Sequence, residues 1–514
     1  MKLFMVRLGT LLAASSLAAL QQGCAPAPAQ QAPVNAAAAS PDVVRTAAAL
    51  KAATPFQNSN GLMPPPGSYS GPFFSLSHDW PTRPIPPLVN APWQAAIGNG
   101  RITVRNAPAY AAALRAAVAR NARALIMDRT WNAGAAGWYN EPWVGSQREA
   151  IRGTYPAGDF TPAIFPNTGL RAEFTTNVLT YYDARAAQTL RQVWGATAMT
   201  PNLTRGSTQF AEGSIIVKAA LFTSANPAMP TNWWDAMAGA QVWQLFIPVG
   251  PQGGQDTPPQ VWPGYVAQFD IIVKDSQSSP ETGWVFMTLV YDNRVRGDAW
   301  DRMIPLGVQW GNDPQANRAG MPLRENWINP RAPLYSTQTL GFGGRLSGPN
   351  DGARNDIAVG GSPTRNGTVM RNAPDSSCMS CHSTAQWDRA AHVQGPFLLP
   401  SYPNSFPSTP TSPPFLPCAD TNGRPNADGA LICSPAPGSA AWMVWFQNRP
   451  GTGAMIPGAS TVATDFDLVL SFKSLPLWWA AVGPQASRLP MLTRVPGTAA
   501  PRHNLYNGAP LPRR

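Results

Sequence analysis

With 514 residues, the chain can hold two or three domains and bury a large core. Only 13% of its residues are charged, while 56 Pro and 44 Gly call for many turns and long connections. The net charge of +11 comes almost wholly from arginines that are scattered rather than run together, which argues against nucleic acid and leaves acidic protein partners or anionic lipid headgroups.

Lys2 and Arg7 form a short positive start, followed by an uncharged Leu/Ala-rich run from Leu8 to Leu20. These thirteen residues are too few to span a bilayer and right for the core of an export signal. Cys24 follows Leu20-Gln21-Gln22-Gly23, where the chain resembles a bacterial lipoprotein signal: Gly precedes a cysteine that is lipidated and becomes the new N-terminus. The resemblance implies lipidation at Cys24 and a membrane anchor, in the periplasm or at the outer membrane. Gln21 departs from it, since the family pattern has Leu there. A soluble exported protein cut nearby, for example after Ala29, is the alternative. Residues 25–78 read as a Pro/Ala/Gly-rich tether. No later segment approaches eighteen consecutive apolar residues, so no membrane-spanning helix is expected.

Residues 79–345 read as a β-rich domain with one helix near its start. Asn106-Ala107-Pro108 is a helix-start signal, and Tyr110, Leu114, Val118 and Leu125 then recur near helical spacing. Five strands are expected after it, over 214–222, 242–247, 267–273, 283–291 and 304–310, each bounded by turn residues. No helical pattern separates them, so the fold class is α+β with an antiparallel sandwich or barrel. Between Asp79 and Cys381 there is no histidine, and the only thiols are at its very end, which excludes a His-containing triad or His-based metal site built from this domain alone. Asp292, Asp298, Asp301 and Asp313 cluster with Arg294, Arg296 and Arg302, a pattern expected to form surface ion pairs. Trp284, Trp300 and Trp310 are expected in the core.

Residues 346–490 carry the most specific motif, Cys378-Met379-Ser380-Cys381-His382. Two thiols three positions apart can each add to one of the two vinyl groups of a single haem, and the next histidine is then held under the iron as proximal ligand. A thioredoxin-like centre would want a βαβ setting and a helix starting at the first cysteine, which Asp375-Ser376-Ser377 could cap, so it stays as an alternative. Zinc would want two more ligands at matching spacing, and Cys418 and Cys433 are poorly placed to supply them. One covalent haem c on Cys378, Cys381 and His382 is therefore expected. Cys418 and Cys433 are left to pair in an oxidising compartment, where closing that polar loop would stabilise by about 3 kcal/mol.

The sixth iron ligand is expected at Met455, in Gly453-Ala454-Met455-Ile456-Pro457-Gly458, ahead of a helix for which Asp465 is the expected cap. Met443 is the runner-up, and Met370, Met491, His78, His392 and His503 are the remaining choices. A methionine loop followed by a C-terminal helix resembles class I cytochromes c over residues 370 to 480, which implies a small, mainly α-helical haem region ending in a tail at 491–514. The 73-residue interval from His382 to Met455 departs from small cytochromes. The passages Ser77-His78-Asp79-Trp80-Pro81, Gly283-Trp284-Val285-Phe286 and Trp310-Gly311-Asn312-Asp313-Pro314, with the haem motif, also resemble large exported bacterial cytochrome-c-like proteins of unassigned role. Electron transfer to a redox partner protein, acidic if the chain's basic charge guides docking, is the function these features imply. The alternative is a haem enzyme of the peroxidase or oxygenase type with an open distal site.

Overall fold

The strand-forming runs in the middle of the chain pair into one antiparallel sheet in the computed structural model. The structure describes residues 56–483, apart from short breaks and the longer segments 340–353, 359–368, 396–415 and 418–431. Helix α1 (Ala107–Met127) is the expected helix. Its cap is Thr103 rather than Asn106: the Thr103 hydroxyl accepts from Asn106 N, and Asn106 Oδ1 accepts from Thr103 N at 2.7 Å. This reciprocal pair satisfies two N-terminal amides, and Pro108 is the second residue of α1.

The main strands are β1 (Tyr155–Phe160), β2 (Phe174–Tyr182), β3 (Ile215–Ser224), β4 (Val242–Pro248), β5 (Pro259–Lys274), β6 (Trp284–Tyr291), β7 (Met303–Gln309) and β8 (Asn326–Ile328). They run β1-β2-β3-β5-β6-β7-β8, and β4 pairs with the first half of β5. All five expected strands lie in this sheet. The sequence reading missed β1, β2 and β8, and helix α2 (Ala184–Trp194), which Asp183 caps by accepting from Ala186 N at 2.7 Å.

Side chains alternate across a strand, so each strand feeds two cores. Val217, Ala219 and Leu221 of β3, Phe269, Ile271 and Val273 of β5, and Val285, Met287 and Leu289 of β6 pack with Tyr110, Leu114 and Val118 of α1. The opposite face presents Ile216, Ile272, Trp284 and Phe286 to Leu190 and Trp194 of α2, and to Met379, Phe466, Leu470 and Leu475 from the C-terminal part. The Cys378–His382 motif is thus built against the second face of the sheet.

A buried bond ties α1 to a sheet loop: Tyr110 OH donates to Asp275 Oδ2 at 2.7 Å. Burial, together with the Asp275 carboxylate, holds the Tyr110 phenol well above its usual pKa, so it stays a donor. Tyr110→Phe leaves a buried carboxylate oxygen without that donor and should cost about 1–3 kcal/mol, read as a lower urea midpoint with unchanged slope.

Within 346–490 the described residues mix helix and strand. Helices α3 (Cys378–His382), α4 (Ala440–Phe446) and α5 (Leu475–Val482) occur, α5 directly following a π-helical turn at Val469–Ser474. Short strands form a four-stranded sheet that includes β9 (Arg354–Ala358) and β10 (Val369–Pro374), and a three-stranded sheet that includes β11 (Gln386–Asp388) and Thr461–Ala463. Cys24, Cys418, Met491 and His503 lie outside the described residues, and only the backbone of Cys433 and of Met370 is described. No helix among the described residues is long and apolar enough to cross a membrane.

Candidate functional site

Cys378 and Cys381 stand three apart on α3, so their thiols share one side of a single helical turn. The helix is pinned to the sheet through Met379, whose amide donates to Gln309 Oε1 of β7 at 2.9 Å. Neither thiol is disulfide-bonded. Burial pushes the Cys378 thiol up to about 12, with the Asp270 carboxylate adding to the effect and the Lys218 cation opposing it. Burial likewise raises Cys381 well above the ordinary thiol range. Both are protonated at neutral pH, unlike the activated thiolate of a thiol–disulfide exchange centre.

His382 completes the turn. Its Nδ1 lies 2.8 Å from the carbonyl oxygen of Phe466, and Phe286 of β6 meets the ring edge-on at 5.0 Å between centroids. A carbonyl can only accept, so Nδ1 carries the proton and Nε2 keeps a free lone pair. Burial, and secondarily the Lys218 cation, hold the imidazole pKa down to about 4, so the ring is neutral and in the form that ligates a metal.

The carbonyl is delivered by a strained turn. Asp465 and Phe466 have φ of 50° and 67°, two successive non-glycine residues in the left-handed region. Such residues cost of order 1–3 kcal/mol each and persist only where their surroundings over-determine them. Asp465 is not the expected helix cap. Its Oδ1 accepts from Lys274 Nζ and from Trp284 Nε1, both at 2.7 Å, and its Oδ2 accepts from Phe210 N at 2.8 Å. The capping role falls to Asp467, whose Oδ1 accepts from Leu470 N at 3.1 Å.

Beneath the motif runs a polar row that sequence reasoning missed. Thr180, Lys218, Asp270 and Thr288 are register partners on β2, β3, β5 and β6. Lys218 Nζ pairs with Asp270 Oδ2 at 2.6 Å, and Asp270 Oδ1 accepts from Thr288 Oγ1 at 2.8 Å. The available signal was a single Lys in Ile215–Ser224 and a single Asp in Phe269-Asp270-Ile271-Ile272, charges that an apolar strand holds only as a pair.

Met455 is buried, and it shares a small apolar cluster with Phe446 and Met443. The first choice and the runner-up for the sixth ligand therefore sit together. The loop of Met455 is tied to residues just past the motif: Ile456 N donates to Gln386 Oε1 at 2.9 Å, and Gln386 Nε2 donates to Ile456 O at 3.3 Å. Buried Arg449 lies beside them, donating to Val444 O at 2.6 Å and to Ser383 Oγ at 3.4 Å. Of the other choices, His78 packs edge-on against Phe56, and His392 stacks on Trp479 with centroids 3.5 Å apart.

The expected acidic cluster forms ion pairs in part: Arg294 pairs with Asp292 at 2.8 Å, and Arg123 of α1, outside the expected set, pairs with Asp298 and Asp301 at 2.9 and 2.8 Å, whereas Asp313 is buried and accepts from Arg324 N and Glu325 N at 2.6 and 2.9 Å. Trp284, Trp300 and Trp310 are core residues. Among the described residues no three His, Cys, Asp or Glu side chains converge as a metal-ligand group. A haem brings four nitrogen ligands of its own and needs no such group. Two free thiols on one turn, and an imidazole with Nδ1 occupied and Nε2 available, fit a covalently held haem. No protein-family model, no curated protein and no solved structure matches this chain.

Proposed function

We propose that this chain is an exported, lipid-anchored, monohaem c-type cytochrome that carries single electrons. The observation that carries the reading is the 2.8 Å contact from His382 Nδ1 to the Phe466 carbonyl, one residue past the second of two free thiols. That bond fixes the tautomer and the ring plane, and it makes Nε2 a stronger donor. The haem would supply a one-electron iron couple. Cys378 and Cys381 would hold the group by thioethers, His382 would ligate the iron through Nε2, and Met455 is the proposed sixth ligand. A β-rich sandwich carrying a cytochrome-like haem region is the architecture this reading assigns to the chain. Lys2, Arg7, the Leu8–Leu20 run and Cys24 support export to the periplasm and attachment to a membrane there. The net charge of +11, carried almost wholly by arginine, favours an acidic redox partner.

A second reading draws on the Lys218–Asp270–Thr288 row, whose charged and hydroxyl groups lie close to the motif. Such groups would suit proton handling in a haem enzyme with an open sixth site. One spectrum separates the two. Thioether ligation leaves a low-spin, ligand-filled iron, so the oxidised wild type should show a weak far-red sulfur-to-iron band that Met455→Ala abolishes. The reduced variant should then bind carbon monoxide readily. A wild type that is already high-spin and binds carbon monoxide rapidly would replace the carrier with the enzyme. A band that survives Met455→Ala would move the ligand to Met443.

A further inference from the structure

We infer that Asp465 is a positioning residue for the proximal imidazole: it locks the left-handed turn whose Phe466 carbonyl accepts from His382. The inference rests on the proposed haem site and adds a determinant of its redox potential.

Asp465 is fully buried and uses both carboxylate oxygens. Two of its donors, Lys274 Nζ at 2.7 Å and Trp284 Nε1 at 2.7 Å, come from neighbouring strands β5 and β6. The third is Phe210 N at 2.8 Å. Lys274 also lies over the Trp284 ring, 5.1 Å from its centroid, so the two donors brace each other. The approach is close on the other side too, because a side chain at Gly451 would collide with Asp465. The flanks of the turn are held as well. Thr464 N donates to Ala385 O at 3.0 Å, and Thr464 Oγ1 donates to Asp467 O at 2.9 Å.

The carboxylate therefore anchors the turn to the rigid sheet, and the motif helix is pinned to the same sheet through Gln309. Histidine and carbonyl are thus held to one frame from two directions. A hydrogen bond from Nδ1 to an acceptor makes imidazole a more electron-rich ligand, which stabilises ferric over ferrous iron. Loosening the turn should weaken that bond and raise the potential.

The test uses full-length protein matured with the haem-attachment machinery: wild type, Asp465→Asn and Trp284→Phe. Absence of covalent haem in the wild type would overturn the haem reading itself, and this inference with it. With haem c present at equal occupancy, Asp465→Asn should shift the ferric/ferrous preference by about tenfold toward ferrous, ~59 mV more positive for one electron. The His382 Nδ1 proton, observed by NMR, should also exchange with solvent faster. Trp284→Phe removes one donor and keeps a smaller aromatic ring in its place, so it should move both readouts the same way by less. An unchanged potential and unchanged proton exchange in Asp465→Asn would overturn the inference while leaving the haem site standing. If Asp465→Asn does not fold, Trp284→Phe decides on the same two readouts.

Discussion

Changing Cys378 and Cys381 together to alanine should yield a chain that carries no covalently bound haem. In the proposed site each thiol supplies one thioether, and no other cysteine of the described residues lies on the motif helix. His382 can still ligate, but a coordination bond alone does not survive denaturation. The fold itself should be little affected. Each substitution deletes a single sulfur atom, buried at Cys381 and half-buried at Cys378, worth on the order of 1 kcal/mol, and the amide of Met379 keeps its bond to Gln309. Intact mass under denaturing conditions should show the wild type heavier than its bare chain by one haem and the double variant at the bare-chain mass. A variant that retains the haem mass would remove these two residues from the attachment site.

A strong pH dependence of stability is expected from a pair of carboxyls buried behind the Phe466 turn. Glu141 and Asp467 are 1% and 4% exposed, too dry for two negative charges. Burial raises Asp467 to about 6, with the neighbouring Asp465 adding to the effect. Burial, then the Asp467 charge, pushes Glu141 well above the carboxylate range. Trp194 Nε1 at 2.7 Å and Ser474 Oγ at 3.1 Å donate to Glu141, and Tyr182 OH donates to Asp467 at 3.0 Å, which offsets only part of the penalty. The folded state therefore binds this proton more tightly than the unfolded chain, whose Asp titrates near ~3.9. The contribution to stability is complete below that value and is lost as pH rises through about 6. Asp467→Asn keeps the shape and removes the titration. At pH 8 it should be more stable than wild type, by on the order of 3 kcal/mol at most, since a pKa difference of one is worth about 1.4 kcal/mol. At pH 4 the advantage should vanish. Urea midpoints at the two pH values check this, and parallel wild-type and variant profiles would contradict it.

What could be read from the sequence depended on whether a residue's role is local. The spacing of Cys378, Cys381 and His382 is a covalent requirement and is visible in five letters. The apolar runs of β3, β5 and β6 are visible because both faces of the sheet are covered there. β2 was hidden because Phe174-Thr175-Thr176-Asn177 places hydroxyl and amide groups in a strand that is buried throughout. The Asp465 assignment failed for the opposite reason. Its position ahead of a helix is local, but its partners Phe210, Lys274 and Trp284 are remote in sequence. The Phe466 carbonyl could not be seen at all, since a backbone acceptor has no side-chain signature. Met455 and Met443 were separable only by sequence position, and the fold places them in one cluster.

Covalent haem is the property on which the carrier role depends, and the pyridine haemochrome spectrum of the wild type reads it without reference to any partner. Protein matured with the attachment machinery should give a c-type spectrum at one haem per chain, with the colour remaining on the protein after acidified organic extraction. Haem that extracts into the solvent, or protein that matures without haem, would contradict the account.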